Sequence, residues 1–265
     1  MLRKLVKYDL RFLIGKELIV YYIISMVVAV LTRIFLSFED SAVLHFIGLI
    51  LNGVTISALC STIINAVIRC WVRFSRNFYH DESYLTHTLP VTKKMHYAAK
   101  VISSALTLVI SLVVCVLAVV AGYFSKENFD IFKAMFLPFA RAMNESIWFL
   151  LLLLISVLLI ELMVMVQAGF TGALVGHRFN GGKGPLSVLF GGIAYVVYQS
   201  FSLLLMFLYA VVLNDELLDS FTSNAIVDLA TFKEIMYCGL LIYALLFAIG
   251  YFINQKLFQK GVNVD

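Results

Sequence analysis

Few side chains in this sequence can do chemistry, and spacing decides what each is fit for. His80, His87 and His96 stand seven and nine residues apart. A zinc-binding helix of the HExxH kind needs two histidines four apart on one face, so these three do not make a metal site. His80, Asp81 and Glu82 are adjacent and of the right types for acid–base work, but nothing beyond adjacency supports that use. Ser103, Ser104 and Ser111 lack the glycine pattern of a nucleophile elbow. Cys60, Cys70, Cys115 and Cys238 form no CxxC pair and fall in or beside apolar stretches, where a thiol packs as a small apolar group. The stretch "HRFNGGKGP" from His177 to Pro185 carries Gly184 after Lys183, where a phosphate-binding loop requires Ser or Thr. It reads as a tight turn. No catalytic residue, metal or cofactor is expected on this chain.

One group stands apart. Glu161 has fifteen residues without a charge on either side, from Ser146 to Gly176. Placing a carboxylate at a bilayer centre costs roughly 2.5–3.5 kcal/mol even on insertion scales. Glu161 must therefore face protein or water, or carry a proton. Two readings follow: a translocation-path or proton-sensitive residue, or a buried hydrogen bond to a neighbouring helix. Gln167 continues the same stretch as a second intramembrane polar group. Gly169, Gly172 and Gly176 follow it. The Gly172/Gly176 pair is a GxxxG, which lets helices approach closely, expected within the chain rather than at a dimer seam.

These residues need elements to hold them, and composition names the solvent. The chain has 265 residues, of which 62% are hydrophobic and 14% charged. Its mean hydropathy is +0.96. Soluble domains are about half apolar and about a quarter charged. About 20 mostly apolar residues cross the hydrocarbon core. Charged residues bracket six such windows, giving spans at about 17–37, 43–70, 100–124, 146–176, 186–213 and 234–255. Pro90 and Pro138 lie outside the windows, and Pro185 lies at the start of one, where a helix tolerates it. The fold class is therefore all-α integral membrane, as one transmembrane domain over 1–265. The alternating short segments of a β-barrel are absent.

Of 20 Lys and Arg residues, fifteen fall before the first span, between spans two and three, between four and five, and after six. The other five, Arg33, Lys126, Lys133, Arg141 and Lys233, fall on the opposite side. This bias predicts both termini in the cytoplasm. The N-terminus lacks the short apolar core and small-residue site of a cleaved signal, so none is expected. Residues 1–16 read as an amphipathic helix, with Leu2, Leu5, Val6, Leu10 and Leu13 on one face and Arg3, Lys7 and Arg11 on another. Such a helix lies in the membrane interface, its basic face toward headgroups. The net charge of +4 then sits beside anionic lipid, and nucleic acid is not needed to explain it. The loop at Glu39 and Asp40 predicts a tight hairpin of spans one and two. Lys126–Glu145 and Asp215–Lys233 read as amphipathic outer loops, with short interfacial helices as the alternative.

The longest polar segment is "NFYHDESYLTHTLPVTKKMHYAAK", from Asn77 to Lys100. Asp81 is placed to cap a helix beginning at Glu82, whose charge suits the positive end of the helix dipole. Pro90 forces Leu89 into extended geometry, so that helix stops there. Thr92 then caps a second helix running into the third span. The result is a short helix over Glu82, Tyr84, Leu85, Thr86, His87 and Thr88, ending at Leu89–Pro90. It presents Tyr84, Leu85 and Leu89 as anchors for a partner's groove. The alternative is an ordered loop lying on headgroups.

The segment "FYHDESYLTHTLPVTKKMHYAAKVI" resembles the cytoplasmic segment of the ABC-2 type permease family. The likeness rests on Asp81, Glu82, Tyr84, Leu85, Thr88, Leu89, Pro90, Val91, Thr92 and Lys100, a turn followed by "LPVT" and a lysine before the third span. Ser83 stands where that family commonly has glycine. The six-span plan with a basic amphipathic N-terminus extends the likeness along the chain. It implies a permease subunit of a bacterial ATP-driven exporter in the plasma membrane. It also implies pairing with a second permease subunit, identical or not, and a separate ATPase that docks on the short helix. ATP and magnesium would then sit on that partner, and the cargo would be a peptide or amphiphile, such as an antimicrobial peptide. Two other readings of the residues stay open: a membrane scaffold that recruits a cytoplasmic enzyme, and an ion-coupled carrier using Glu161.

Overall fold

The computed structural model describes residues 1–38, 41–80, 82–179, 181–213, 217–218 and 229–260. Regular structure among them is entirely helical: α1 (Leu2–Leu13), α2 (Lys16–Leu36), α3 (Ala42–Tyr79), α4 (Ser83–Thr88), α5 (Lys93–Tyr123), α6 (Lys126–Ala142), α7 (Ile147–Gly176), α8 (Lys183–Leu213) and α9 (Leu229–Gln259). Six of these, α2, α3, α5, α7, α8 and α9, are long and apolar enough to cross a bilayer. The six predicted windows are these six helices. The loop at Glu39–Asp40 lies outside the described residues. The chain divides into two compact units, Met1–Asp130 and Ile131–Asp265.

In the first unit α2, α3 and α5 pack on one another, α1 lies against α5 and α3, and α4 against α3. Lipid tails are as apolar as leucine, so hydrophobicity alone does not drive spanning helices together. Small residues and hydroxyl pairs take that role. Ser25 and Thr62 hydrogen-bond at 2.8 Å, Thr32 and Thr55 at 2.8 Å, and Tyr22 and Ser111 at 2.7 Å. Gly122 lets α5 touch α2: a Cβ there would stand 2.9 Å from the Ala29 carbonyl oxygen.

The helix ends depart from the predicted spans in an informative way. α3 runs 38 residues, about 57 Å at 1.5 Å per residue, well beyond a hydrocarbon core of about 30 Å. Its last turns, from Arg69 through Arg73 and Arg76 to Tyr79, leave the apolar window while staying helical. α5 likewise begins at Lys93, two turns before its apolar window. Thr92 caps it as expected, its hydroxyl accepting from the Met95 N–H at 3.4 Å.

In the second unit α7 packs on α8, and α9 on both. The GxxxG sits in the α7–α8 contact: a Cβ on Gly172 would stand 2.5 Å from the Gly191 nitrogen, and one on Gly176 the same distance from the Ser187 nitrogen. Val164, Ile242 and Leu246 form a buried core, flanked by Tyr198, Leu205, Met206 and Cys238. Ser146 caps α7, accepting from the Phe149 N–H at 3.1 Å.

Over Lys126–Glu145 the preferred reading, a loop, is corrected in favour of its alternative: residues Lys126–Ala142 are the helix α6. The breaker, Pro138, lies inside it. Local terms explain the helix. Ser125 accepts from the Asn128 N–H at 3.0 Å, as a helix cap does, and Phe132 and Phe136, four apart, bring their rings to 4.5 Å. Beyond its end Lys233 donates to Glu145 and to the Met143 carbonyl, both at 2.9 Å. Of the other outer segment, Asp215–Lys233, most lies outside the described residues, and its last residues open α9.

Candidate functional site

The polar ends of α1, α3, α4 and α5 meet in one cluster built around Asp9. Sequence places Asp9 four residues before Leu13, so on α1 the two share a face, and they are its two buried residues. The faces otherwise sort as the sequence dictates, with Arg3, Lys7 and Arg11 exposed and Leu2, Leu5, Val6 and Leu10 half-buried. One oxygen of Asp9, Oδ1, accepts from Lys100 Nζ at 2.6 Å and from Arg73 Nε at 3.0 Å. Lys100 and Asp9 are almost wholly enclosed, with side chains 4% and 7% exposed. An ionised group so placed is stable only when paired and hydrogen-bonded. Here two acids meet two bases, because Arg73 Nη1 also donates to Glu82 Oε2 at 2.6 Å.

That second bond carries the cluster to α4. Asn77, one turn after Arg73, donates through Nδ2 to Glu82 Oε2 at 3.2 Å and to the Thr86 hydroxyl at 3.0 Å. Thr86 donates in turn to the Glu82 carbonyl at 2.9 Å. A six-residue helix cannot hold itself in water; α4 is held by one face. Ser83 and Thr86 are buried on that face, while Tyr84 and Leu85 point away at 70% and 74% exposure. Leu89 is extended, at φ −66° and ψ 137°, as the following proline requires. It is also exposed.

Below the charges lies an aromatic floor. Phe74, Phe78 and Tyr97 are fully buried. Phe74 packs edge-on against Phe78 and Tyr97, and His96 packs edge-on against Phe78. The Arg73 guanidinium lies 4.3 Å from the centre of the Phe12 ring. Arg69, one turn earlier on α3, closes the end of α1 by donating to the carbonyls of Leu13 at 2.9 Å and Phe12 at 2.8 Å. These are acceptors a helix C-terminus leaves open. Arg69 also pairs with Glu17 at the start of α2. A cavity of about 180 Å³ remains between the elements, lined by Leu5, Tyr8, Asn77, Thr86, Leu89 and His96 among others.

The segment singled out in the sequence is thus an α-helix with an exposed apolar face and a polar face pinned to α3. The helix starts at Ser83, with Glu82 at its cap position and no side-chain cap bond. Asp81, expected to cap it, lies outside the described residues, as does the His87 side chain. Pro90, which ends the helix, is exposed, and so is Thr88, whose hydroxyl donates to the Leu85 carbonyl at 2.9 Å. Asp9, Arg73, Asn77 and Arg69 went unread in the sequence. A single acid in a basic helix, and a lysine at the mouth of a span, were the available signals.

The intramembrane residues separate. Gln167 is fully buried, and Asn254 Nδ2 donates to both its side-chain and main-chain oxygens at 3.0 Å. Thr171 donates to Asn254 Oδ1 at 2.9 Å. This is a lock between α7 and α9. Gly169 belongs to the same contact as Gly172, its Cα 3.6 Å from where a Gly191 Cβ would stand. Glu161 is half-buried and has no such lock among the described residues.

Fold and site together define a class: an all-helical, multi-pass membrane protein that holds a short amphipathic helix at the polar end of its first three spans. No protein-family model, no curated protein and no solved structure matches the chain.

Proposed function

We propose that the chain is the membrane-spanning permease subunit of a bacterial ATP-driven exporter of the ABC-2 type. One observation carries this reading: α4 turns Tyr84, Leu85 and Leu89 to solvent while Glu82 and Thr86 bind it to α3. Bulky apolar groups on a rigid exposed element are costly to leave wet and suit the groove of a partner. An engine that pulls on such a helix moves α3 directly, and through Asp9 also α1 and α5. In this reading α4 lies on the cytoplasmic side, as the Lys and Arg bias predicts. ATP is bound and hydrolysed by a separate subunit, a second permease subunit completes the pore, and the cargo is a peptide or amphiphile.

The test is affinity purification from native membranes in mild detergent. The expected result is a stoichiometric partner carrying Walker A and B motifs, retained by the wild-type chain and lost with Leu85→Asp/Leu89→Asp. A double variant that keeps such a partner, or a wild-type chain that never holds one, overturns the reading.

A further inference from the structure

The cavity beside α4 is walled by four elements of the first unit. Tyr8 and Asp9 of α1, Arg73 and Asn77 of α3, Thr86 of α4 and Lys100 of α5 all line it. Its volume is about 180 Å³, room for several water molecules at about 30 Å³ each. The Lys100 side chain is 4% exposed, so its ammonium group is out of reach of bulk water.

Donors on this wall outnumber the acceptors that answer them. A lysine ammonium carries three N–H donors and an arginine guanidinium five. Among the described residues, Lys100 spends one of them on Asp9, and Arg73 spends two, on Asp9 and Glu82. Two N–H groups of Lys100 and three of Arg73 are left over. The Tyr8 hydroxyl is a further donor. The Phe78 ring lies 5.3 Å from the Lys100 ammonium, but a ring face is a weak acceptor. Asp9 Oδ1 already accepts from both cations, and the Thr86 hydroxyl accepts from Asn77. Asp9 Oδ2 and Asn77 Oδ1 are the side-chain acceptors that remain there.

The surrounding charge has the same sign as the surplus. Residues 1–17 and 69–100, which build this end of the unit, hold eleven Lys and Arg against four Asp and Glu. Lys4, Lys7, Arg76, Lys93 and Lys94 are exposed cations among them. Such a field draws anions. Excess buried donors in a positive field are answered best by an oxyanion. A phosphate has more oxygens to offer than a carboxylate, and it accepts from a guanidinium fork and an ammonium together.

We propose that this cavity binds a phosphate group, carried by a lipid headgroup or by a small soluble ester, and that the bound phosphate braces α4 against α1, α3 and α5. The site stands on its own walls and does not depend on the export reading. A chain that never retains an ATPase leaves it intact, and a chain that ignores phosphate leaves the exposed face of α4 unchanged.

The test uses the full chain in alkyl maltoside micelles, which contain no phosphate. Amide hydrogen exchange over residues 83–88 is the readout, at constant ionic strength set with sodium chloride. Two arms separate the sources: glycerol 3-phosphate against glycerol, and phosphatidylglycerol against diacylglycerol. The expected result is saturable slowing in at least one phosphate arm, about tenfold at ten times the Kd, with neither phosphate-free comparator active. Protection by phosphatidylglycerol alone assigns the phosphate to a lipid, and protection by glycerol 3-phosphate assigns it to a soluble ester. Asp9→Asn/Lys100→Met removes both ends of the buried pair and should raise the Kd about tenfold or more. Ala99→Leu, which extends a side chain into the cavity without changing charge, should abolish the protection. No slowing in either phosphate arm, equal slowing by glycerol or diacylglycerol, or an unchanged Kd in a folded variant overturns the proposal. Should neither variant fold, the phosphate-against-alcohol comparison on the wild-type chain decides alone.

Discussion

Asp9 and Lys100, 91 residues apart in the chain, meet at 2.6 Å with both side chains shielded from solvent. The bond ties the N-terminal helix α1 to the start of α5, and the same Asp9 oxygen ties it to Arg73 on α3. Because Arg73 also holds Glu82, one carboxylate oxygen sits between the spans and the exposed helix α4.

Removing that carboxylate leaves two buried cations facing each other. Asp9→Asn is expected to destabilise the chain by about 3–5 kcal/mol, the usual scale for breaking a buried ion pair from one side. A thermal melt of the purified protein in detergent reads it as a large fall in apparent Tm. Asp9→Asn combined with Lys100→Met should melt higher than Asp9→Asn alone, because the second change removes a stranded charge. A double variant no better than the single one would refute the pairing as the cause.

The exposed face of α4 predicts the opposite pattern. Leu85 is 74% exposed, so the stability effect of Leu85→Asp should stay within about 0.5 kcal/mol, as for surface changes generally. Any loss it causes should appear in retention of the ATPase partner and not in the melt. Glu82→Gln, by contrast, weakens the Arg73 anchor while leaving Tyr84 and Leu85 in place. It should loosen α4, read as faster amide hydrogen exchange over residues 83–88, with the melt of the spans little changed. Exchange in that segment equal to wild type would show that Asn77 and Thr86 suffice to hold it.

These two cases also show what the sequence made legible. The six spans were readable because hydrophobicity and charge are local properties, and charged residues bracket each window. The end of α4 at Leu89 and the start of α5 at Thr92 were readable because Pro90 and a capping hydroxyl act on adjacent residues. The clasp was not, because the partners of Asp9 lie 64 and 91 residues away and no local pattern announces them. Nor was the helical run of α3 past Arg69, since charge marks where the apolar window ends and not where the helix does. α6 was legible only as the alternative to a loop, because its charges are mixed with apolar residues. Glu161 and Gln167 looked alike in sequence, and their neighbours on α8 and α9 set them apart.

At Gly172 the α7–α8 contact has no room for a methyl group. A Cβ at Gly172 would stand 2.5 Å from the Gly191 backbone nitrogen, a distance that only backbone movement relieves. Gly172→Ala is expected to destabilise by about 1–3 kcal/mol, the range for overpacking. Gly192→Ala on α8, where a Cβ meets nothing within 4 Å, is the control and should be close to neutral. Equal melts for the two variants would place the close approach of α7 and α8 elsewhere.

The two intramembrane polar residues should part company when their partners are removed. Asn254 is fully buried and its amide donates to both oxygens of Gln167. Asn254→Leu strips Gln167 Oε1 of that donor, while Thr171 keeps the Gln167 carbonyl as an acceptor at 2.9 Å, and a buried polar group deprived of its partner costs about 1–3 kcal/mol. It should lower the apparent Tm. Glu161→Gln breaks no bond among the described residues, so its melt should stay at or above the wild-type value, since a neutral amide is easier to hold in a span than a carboxylate. A fall in Tm for Glu161→Gln as large as that for Asn254→Leu would mean that the carboxylate is a structural partner, and that the separation of the two sites is wrong.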